Sequence, residues 1–234
     1  MRRCVRPGEG RQLLDAGSVF VFRLLFKEII MKLSITEERA GSDFHTWKQA
    51  LYCSGERRTD LEHWLFLRVS GVLFGGKPGE LIIIKPINWG LPMECVLCHA
   101  GTFSSAWGLR YKALAVSGES VKLIIYKEKS VERRLKQASR KILHTALKYP
   151  VGLTPQSFLH EVSMRWQASG EIPHEIGIAL GYPLKDVWGF MGLRRCRCSG
   201  SCGWQIFGDP KPSWRVRNRY LKARSMAERL LEAA

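Results

Sequence analysis

The sequence predicts an α+β domain that is rich in helix and carries a small, mainly antiparallel sheet with one hairpin. Tyr111 to Val116 and Val121 to Lys127 are β-rich runs joined by Ser117-Gly118-Glu119-Ser120, the pattern of an antiparallel hairpin. Apolar residues recur at helical spacing in longer stretches, most clearly Val131, Leu135, Ala138, Ile142 and Ala146. Strands do not alternate regularly with helices, and no glycine fingerprint follows a strand, which argues against a doubly wound parallel sheet.

Taken in order, Ser42 or Asp43 can cap a short helix through Cys53, and Ser54 to Arg58 reads as a polar linker. Thr59-Asp60-Leu61-Glu62 has capping-box spacing, in which hydroxyl and carboxylate satisfy each other's orphan backbone donors. It opens an apolar stretch from Leu61 to Phe74 that Gly75-Gly76 should end. Pro78-Gly79 makes a turn, and Leu81 to Ile84 reads as a short strand stopped by Pro86. Pro92 to Trp107 is expected to be helical, and the hairpin follows. The amphipathic helix from Ser130 should run to near Pro150, with Arg133, Arg134, Lys136, Arg140 and Lys141 off its apolar stripe.

Thr154-Pro155 places proline at the first helical position after a capping hydroxyl, and Phe158, Val162 and Trp166 would face inward until Ser169-Gly170 stops the helix. Pro173 to Leu180 and Pro183 to Met191 read as two short helices separated by Gly181-Tyr182. A Gly- and Cys-rich loop leads to a last strand, Trp204 to Phe207. From Pro210 or Ser213 the chain reads as one long helix, because Val216, Tyr220, Ala223, Ala227 and Leu230 recur at helical intervals.

The domain therefore spans residues 59–234, preceded by a helical extension and linker over residues 31–58. Residues 1–30 read either as a translated leader or as an appended amphipathic helix. The leader reading rests on Lys27-Glu28, which a purine-rich stretch resembling a ribosome-binding site can encode just ahead of Met31. Both readings set this segment aside from functional reasoning.

The chain has 234 residues, 45% hydrophobic and 25% charged, which is ordinary globular usage and excludes collagen-like, coiled-coil and low-complexity classes. No apolar run reaches the roughly 20 residues of a membrane-spanning helix; Val19 to Phe26 is broken by Arg23. The seven cysteines are an odd set with no secretory signal before them, so the expected setting is the reducing cytoplasm. There, close cysteine pairs are more often metal-binding or redox-active than disulfide-bonded. The formal net charge is +16, and residues 191–234 hold ten Lys and Arg against three Asp and Glu, making that end the basic pole. Such a pole suits nucleic acid, an anionic surface or an acidic partner, and also a solvated helix face.

His174-Glu175-Ile176-Gly177, Leu180-Gly181-Tyr182-Pro183, Asp186-Val187 and Gly189-Phe190 together resemble an uncharacterised bacterial family, domain of unknown function thirty-seven ninety-three. Trp204-Gln205-Ile206-Phe207-Gly208-Asp209 is similar to the family's closing segment, and Gly75 to Leu81 resembles its lysine element, which brings Lys77 among the candidates. The resemblance covers roughly residues 59–234 and carries no reaction with it. Where members commonly have His-Cys-Ala-Pro before the lysine element, this chain has Arg68-Val69-Ser70-Gly71, and its cysteine loop is longer.

Cys95-x-x-Cys98 and Cys196-x-Cys198-x-x-x-Cys202 supply enough thiolates for zinc or an iron-sulfur cluster, both of which take soft ligands from short loops. The competing reading makes Cys95 and Cys98 small helix hydrophobes. His174-Glu175 lacks the second histidine of a zincin helix, Ile178 standing in its place. The pair reads as a structural helix start or as an acid/base couple. No Walker loop, nucleophile elbow or paired catalytic carboxylates are present.

Three functions follow. The first is a cytoplasmic bacterial accessory protein, not a stand-alone enzyme, holding a small ligand or a metal around His174, Glu175, Tyr182, Asp186, Trp204, Asp209 and Lys77. The second is a nucleic-acid-binding module using Arg215, Arg219 and Lys222, whose binding would weaken steeply with salt. The third is a small-molecule enzyme with His174 as acid/base.

Overall fold

A computed structural model of the chain describes residues 43–49, 56–117 and 119–233. The chain divides into two units, Met1–Phe44 and His45–Ala234. Of the first, only residues 43 and 44 are described, both within a short helix, α1 (residues 43–49). The leader or appended helix expected over residues 1–30 lies outside the described residues, as does the stretch 50–53 once expected to extend α1.

The second unit is α+β, as the sequence predicts. Its first long helix, α2 (Glu56–Leu73), starts ahead of Thr59, so the expected capping box lies within the helix and residues 56–58 of the expected linker are helical. Glu56, Arg57 and Arg58 all favour helix, and nothing before Thr59 breaks it. Leu61, Leu65, Phe66, Val69 and Val72 form the buried face. The helix stops where Gly76 adopts φ 63° and the Lys77 amide returns to the Gly71 carbonyl at 2.9 Å.

Strands β1 (Gly79–Ile84), β2 (Arg110–Ser117) and β3 (Ser120–Tyr126) form a sheet in the order β1-β3-β2, antiparallel throughout, with a register shift in β2 between Ala113 and Ala115. Val121, Leu123, Ile124 and Ile125 of β3 are all fully buried, so helices cover both faces of this central strand. On one side α2 and α3 (Met93–Ala106) pack on β1 and β2, and Trp47 stacks on Phe66 at 5.0 Å while its indole donates to the buried carboxylate of Glu62 at 3.0 Å. On the other side Ile124 and Tyr126 join a core built with Val131 and Leu135 of α4 (Glu128–Gln137) and Phe158, Val162 and Trp166 of α5 (Pro155–Ser169).

The long helix expected from Ser130 is two pieces. Ala138 is extended at ψ 145°, and a separate π-helical turn covers Ile142–Ala146. Ser139 opens the next turn, its carbonyl accepting the Leu143 amide at 3.0 Å and its hydroxyl lying 3.4 Å from the Ile142 amide. The start of α5 is as expected, with Thr154 and Ser157 capping each other's amides and Pro155 at the first position.

The remaining elements wrap the end of this core. The expected helix after Pro173 is a 3₁₀ helix, His174–Ile178, followed by α6 (Leu184–Phe190). β4 (Cys198–Ser201) and β5 (Gln205–Phe207) pair antiparallel, so part of the expected cysteine loop is strand. Its residues, Cys-Ser-Gly-Ser, are exposed at every position and carry no alternating or β-branched signal. Finally α7 (Lys211–Glu232) lies along α2, approaching so closely that a Cβ on Gly75 would sit 3.1 Å from that of Ala223.

Gly189 permits a still closer approach, since a Cβ there would fall 2.4 Å from Cγ and 2.6 Å from Cβ of Phe207. Phe207 cannot withdraw, because its backbone amide and carbonyl are both held by residues of α6. Gly189→Ala is expected to cost about 1–3 kcal/mol, the range for overpacking a filled site, read as a lowered midpoint in urea unfolding with an unchanged slope.

Candidate functional site

The 3₁₀ helix, α6 and the β4–β5 hairpin enclose a cavity of about 440 Å³ against the start of β1. Its walls are mostly apolar. Ile172, Ile176, Leu180, Val187 and Phe190 provide the greasy surface, while Glu80, His174, Tyr182, Asp186, Trp204 and Gln205 complete the lining. The local sequence dictates this shape: Gly177 lets α6 close in, as a Cβ there would lie 3.0 Å from Val187 and 3.2 Å from Tyr182, and Gly181 turns the chain at φ 77° against Pro78.

Asp186 organises one wall. Only 2% of it is exposed, and both carboxylate oxygens are fully engaged. Oδ1 accepts from Lys185 Nζ at 2.6 Å and the Phe207 amide at 2.9 Å; Oδ2 accepts from Trp204 Nε1 at 2.9 Å and Ser213 Oγ at 2.6 Å. Lys185 uses its other donors on the Phe207 carbonyl at 2.8 Å and Ser213 Oγ at 3.0 Å. One carboxylate thus ties α6 to β5, to the start of α7 and to the Trp204 indole. Burial pushes its carboxyl pKa up, but the bonds from Lys185, the Phe207 amide, Ser213 and Trp204 outweigh it and hold the group below the usual carboxylate value.

The Trp204 ring, so anchored, stacks on Tyr182 with centroids 4.6 Å apart and planes 18° from parallel. Burial, followed by the Glu80 charge, raises the Tyr182 phenol to about 12, so it is a neutral hydrogen-bonding group. His174 is exposed at the rim and meets the Phe190 ring edge-on at 4.7 Å; Phe190 itself is 46% exposed.

Four candidates from the sequence, His174, Tyr182, Asp186 and Trp204, therefore share one cavity. The others do not. Glu175 is 4% exposed and turned into the core, where it accepts from the Tyr149 hydroxyl at 3.0 Å and Arg165 at 3.1 Å. Arg165 also donates to the Leu147 carbonyl at 2.7 Å and lies over the Tyr149 ring, so Glu175 locks the 3₁₀ helix to α5. Asp209 is exposed and accepts the Lys211 amide at the start of α7, a favourable place for an anion. Lys77 pairs with Glu80 at 2.7 Å and lines a neighbouring hollow.

The two members of the His174-Glu175 pair part company: Glu175 turns into the core to Tyr149 and Arg165, while His174 stands exposed at the cavity rim. The cysteines are not gathered either: Cys95 and Cys98 lie on α3, Cys196 and Cys198 on and before β4, and Cys202 is buried at the hairpin tip, where burial pushes its thiol up. Among the described residues no three His, Cys, Asp or Glu side chains are grouped so as to hold a metal ion. On α7, Arg215, Arg219 and Lys222 are exposed, whereas Arg217 and Arg224 turn toward a hollow.

The model for the family described as Protein of unknown function (DUF3793) matches residues 65–234. The chain belongs to this family. No curated protein and no solved structure matches it. Both the cavity and the Asp186 network lie within the matched segment. Among the described residues no helix is long and apolar enough to cross a membrane.

Sequence reasoning missed Lys185, Ser213, Glu80 and Ile172, which carry no motif of their own. The clue to Ser213 is its placement among helix-starting residues, and that points equally to a cap.

Asp186→Asn would set an amide nitrogen against at least one fixed donor and leave Lys185 without its counter-charge. Removing one partner of a buried pair typically costs about 3–5 kcal/mol, and the 18% exposure of the Lys185 side chain places this substitution at the lower end. The sign with pH is fixed by the depressed carboxyl: Asp186 stabilises fully above the unfolded-state value and loses that contribution as pH falls through the lower folded-state one. The stability gap between wild type and Asp186→Asn should therefore be constant near neutrality and shrink below about pH 4, measured by urea unfolding at a series of pH values.

Proposed function

We propose that this chain is a cytoplasmic accessory protein that binds a small molecule in the cavity between the 3₁₀ helix, α6 and β5. The observation that carries this is a mostly apolar cavity of about 440 Å³ with a few polar groups converging on it. That volume and lining are what ligand sites for small organic molecules have in common. Support also comes from the energetic effort behind its wall: a charged network, two glycines at contact distance and a stacked aromatic pair fix one shape. A rigid cavity lowers the ordering cost of binding.

The chemistry favours a planar, largely apolar ligand. Phe190 and Ile172 stand partly exposed at the mouth and would be covered by it. His174 at the rim offers a hydrogen bond that orients a polar substituent. Asp186 takes the role of holding the wall, not of moving protons.

A planar apolar probe tests this reading. 1-Naphthol added to ¹⁵N-labelled protein should shift the Trp204 indole and the amides of residues 174–190 saturably. Ile172→Trp, which fills the cavity from its mouth without touching the core, should weaken that response at least tenfold. Shifts scattered over the surface, or an Ile172→Trp variant that binds as wild type does, would overturn the reading.

A further inference from the structure

On the far side of the Tyr182–Trp204 stack lies a second hollow of about 370 Å³, and it differs from the first in chemistry. Its walls carry Arg68 from α2, Lys77 ahead of β1, and Arg217 and Arg224 from α7, with Glu80 as the carboxylate among them. Glu80, Tyr182 and Trp204 line both hollows, so the stacked rings and one carboxylate are shared between them.

The cations are unequally spent. Lys77 is paired with Glu80 at 2.7 Å, and Arg224 with Glu228 at 2.6 Å. Arg68 and Arg217 have no ion-pair partner among the described residues. Arg68 lies over the Trp64 ring, its guanidinium 5.7 Å from the centroid. Arg217 reaches the tip of the β4–β5 hairpin, where Gly203 at φ 96° leaves room: a Cβ there would be 3.6 Å from the guanidinium. Like charges converging on a half-enclosed hollow repel one another at close range, and an anion placed between them relieves that repulsion. Arginine suits this task because its planar fork matches the oxygens of a phosphate.

We propose that the basic hollow is the anion subsite of the ligand held in the apolar cavity, and that the ligand is a phosphorylated small molecule with a planar apolar body. The inference rests on the cavity reading above and adds the chemical class. The apolar body lies against Ile172, Val187 and Phe190, the phosphate against Arg217 and Arg68, and the link passes the edge of the Tyr182–Trp204 pair. Lys77 stays paired with Glu80, so the phosphate's charge is met by Arg217 and Arg68. The hairpin carrying Trp204 then does two things, closing the apolar side with its indole and the basic side with its Gly203 backbone.

Calorimetric titration at low ionic strength with 4-(1-naphthyl)butyl phosphate, whose spacer lets ring and phosphate occupy different hollows, and with 1-naphthol and inorganic phosphate tests this. The expected result is that 4-(1-naphthyl)butyl phosphate binds at least tenfold more tightly than either fragment. Arg217→Met, which keeps the apolar stem, should remove at least fivefold of that affinity and leave 1-naphthol unchanged; Arg68→Met should act in the same direction should Arg217→Met fold poorly. A 4-(1-naphthyl)butyl phosphate affinity no better than that of 1-naphthol, or one indifferent to both arginine variants, overturns the anion subsite while leaving the apolar cavity standing. Inorganic phosphate and 4-(1-naphthyl)butyl phosphate binding equally, with no binding of 1-naphthol, would remove the apolar cavity reading and the composite ligand with it.

Discussion

The C-terminal half of this protein hangs on a buried carboxylate. Asp186 accepts four hydrogen bonds, from Lys185, the Phe207 amide, the Trp204 indole and the Ser213 hydroxyl, and these reach three different elements. Hydrogen bonds to a charged group are worth about 1.5–3 kcal/mol each where the group stays paired, and losing the acceptor exposes every donor's desolvation cost at once. Without this anchor the β4–β5 hairpin, two short strands with an exposed edge, would have little to hold it, since isolated hairpins are marginal in water. With it, the hairpin is pinned to α6 and α7 and its indole becomes a fixed wall.

The division between the two hollows follows from that wall. Trp204 stacks on Tyr182, and the pair separates an apolar cavity from a basic hollow. The glycines do the complementary work of bringing backbones close: Gly177 and Gly189 let α6 approach the 3₁₀ helix and β5, and Gly181 turns the chain beneath Pro78. The sheet and its two helical layers serve as the platform. Glu175, bonded to Tyr149 and Arg165, fastens the 3₁₀ helix to that platform, so the mouth residue His174 beside it has a fixed base.

The fold was legible wherever a local signal coincided with the tertiary one. Thr154-Pro155, the hairpin around residues 117–120 and the stripe of α7 each announce themselves, because capping, turn chemistry and periodicity are local properties. The break at Ala138 was missed because Val131, Leu135, Ala138 and Ile142 keep helical spacing across it, and spacing does not report the extended backbone at ψ 145°. β4 was missed because its Cys-Ser-Gly-Ser residues pair through the backbone and bury nothing. In the site, residue type located the cavity but not the roles. His174, Tyr182, Asp186 and Trp204 do converge, yet a sequence cannot tell a carboxylate that serves chemistry from one saturated by Lys185, Ser213, Trp204 and an amide. The same limit made the cysteines look like a centre, when spacing alone cannot bring α3 and the hairpin together. It also hid the division of the α7 cations, of which Arg217 and Arg224 face the basic hollow while Arg215 and Lys222 are exposed.

The central claim is that the Asp186 carboxylate holds the Trp204 indole and so maintains the wall between the two hollows. Hydrogen exchange of the Trp204 indole N–H, followed by NMR near neutral pH, reads this bond directly. Slow exchange in the wild type, lost in Asp186→Asn while the amides of the central strand β3 stay protected, is the expected result. An indole proton that exchanges as fast in the wild type as in an unfolded chain would contradict it.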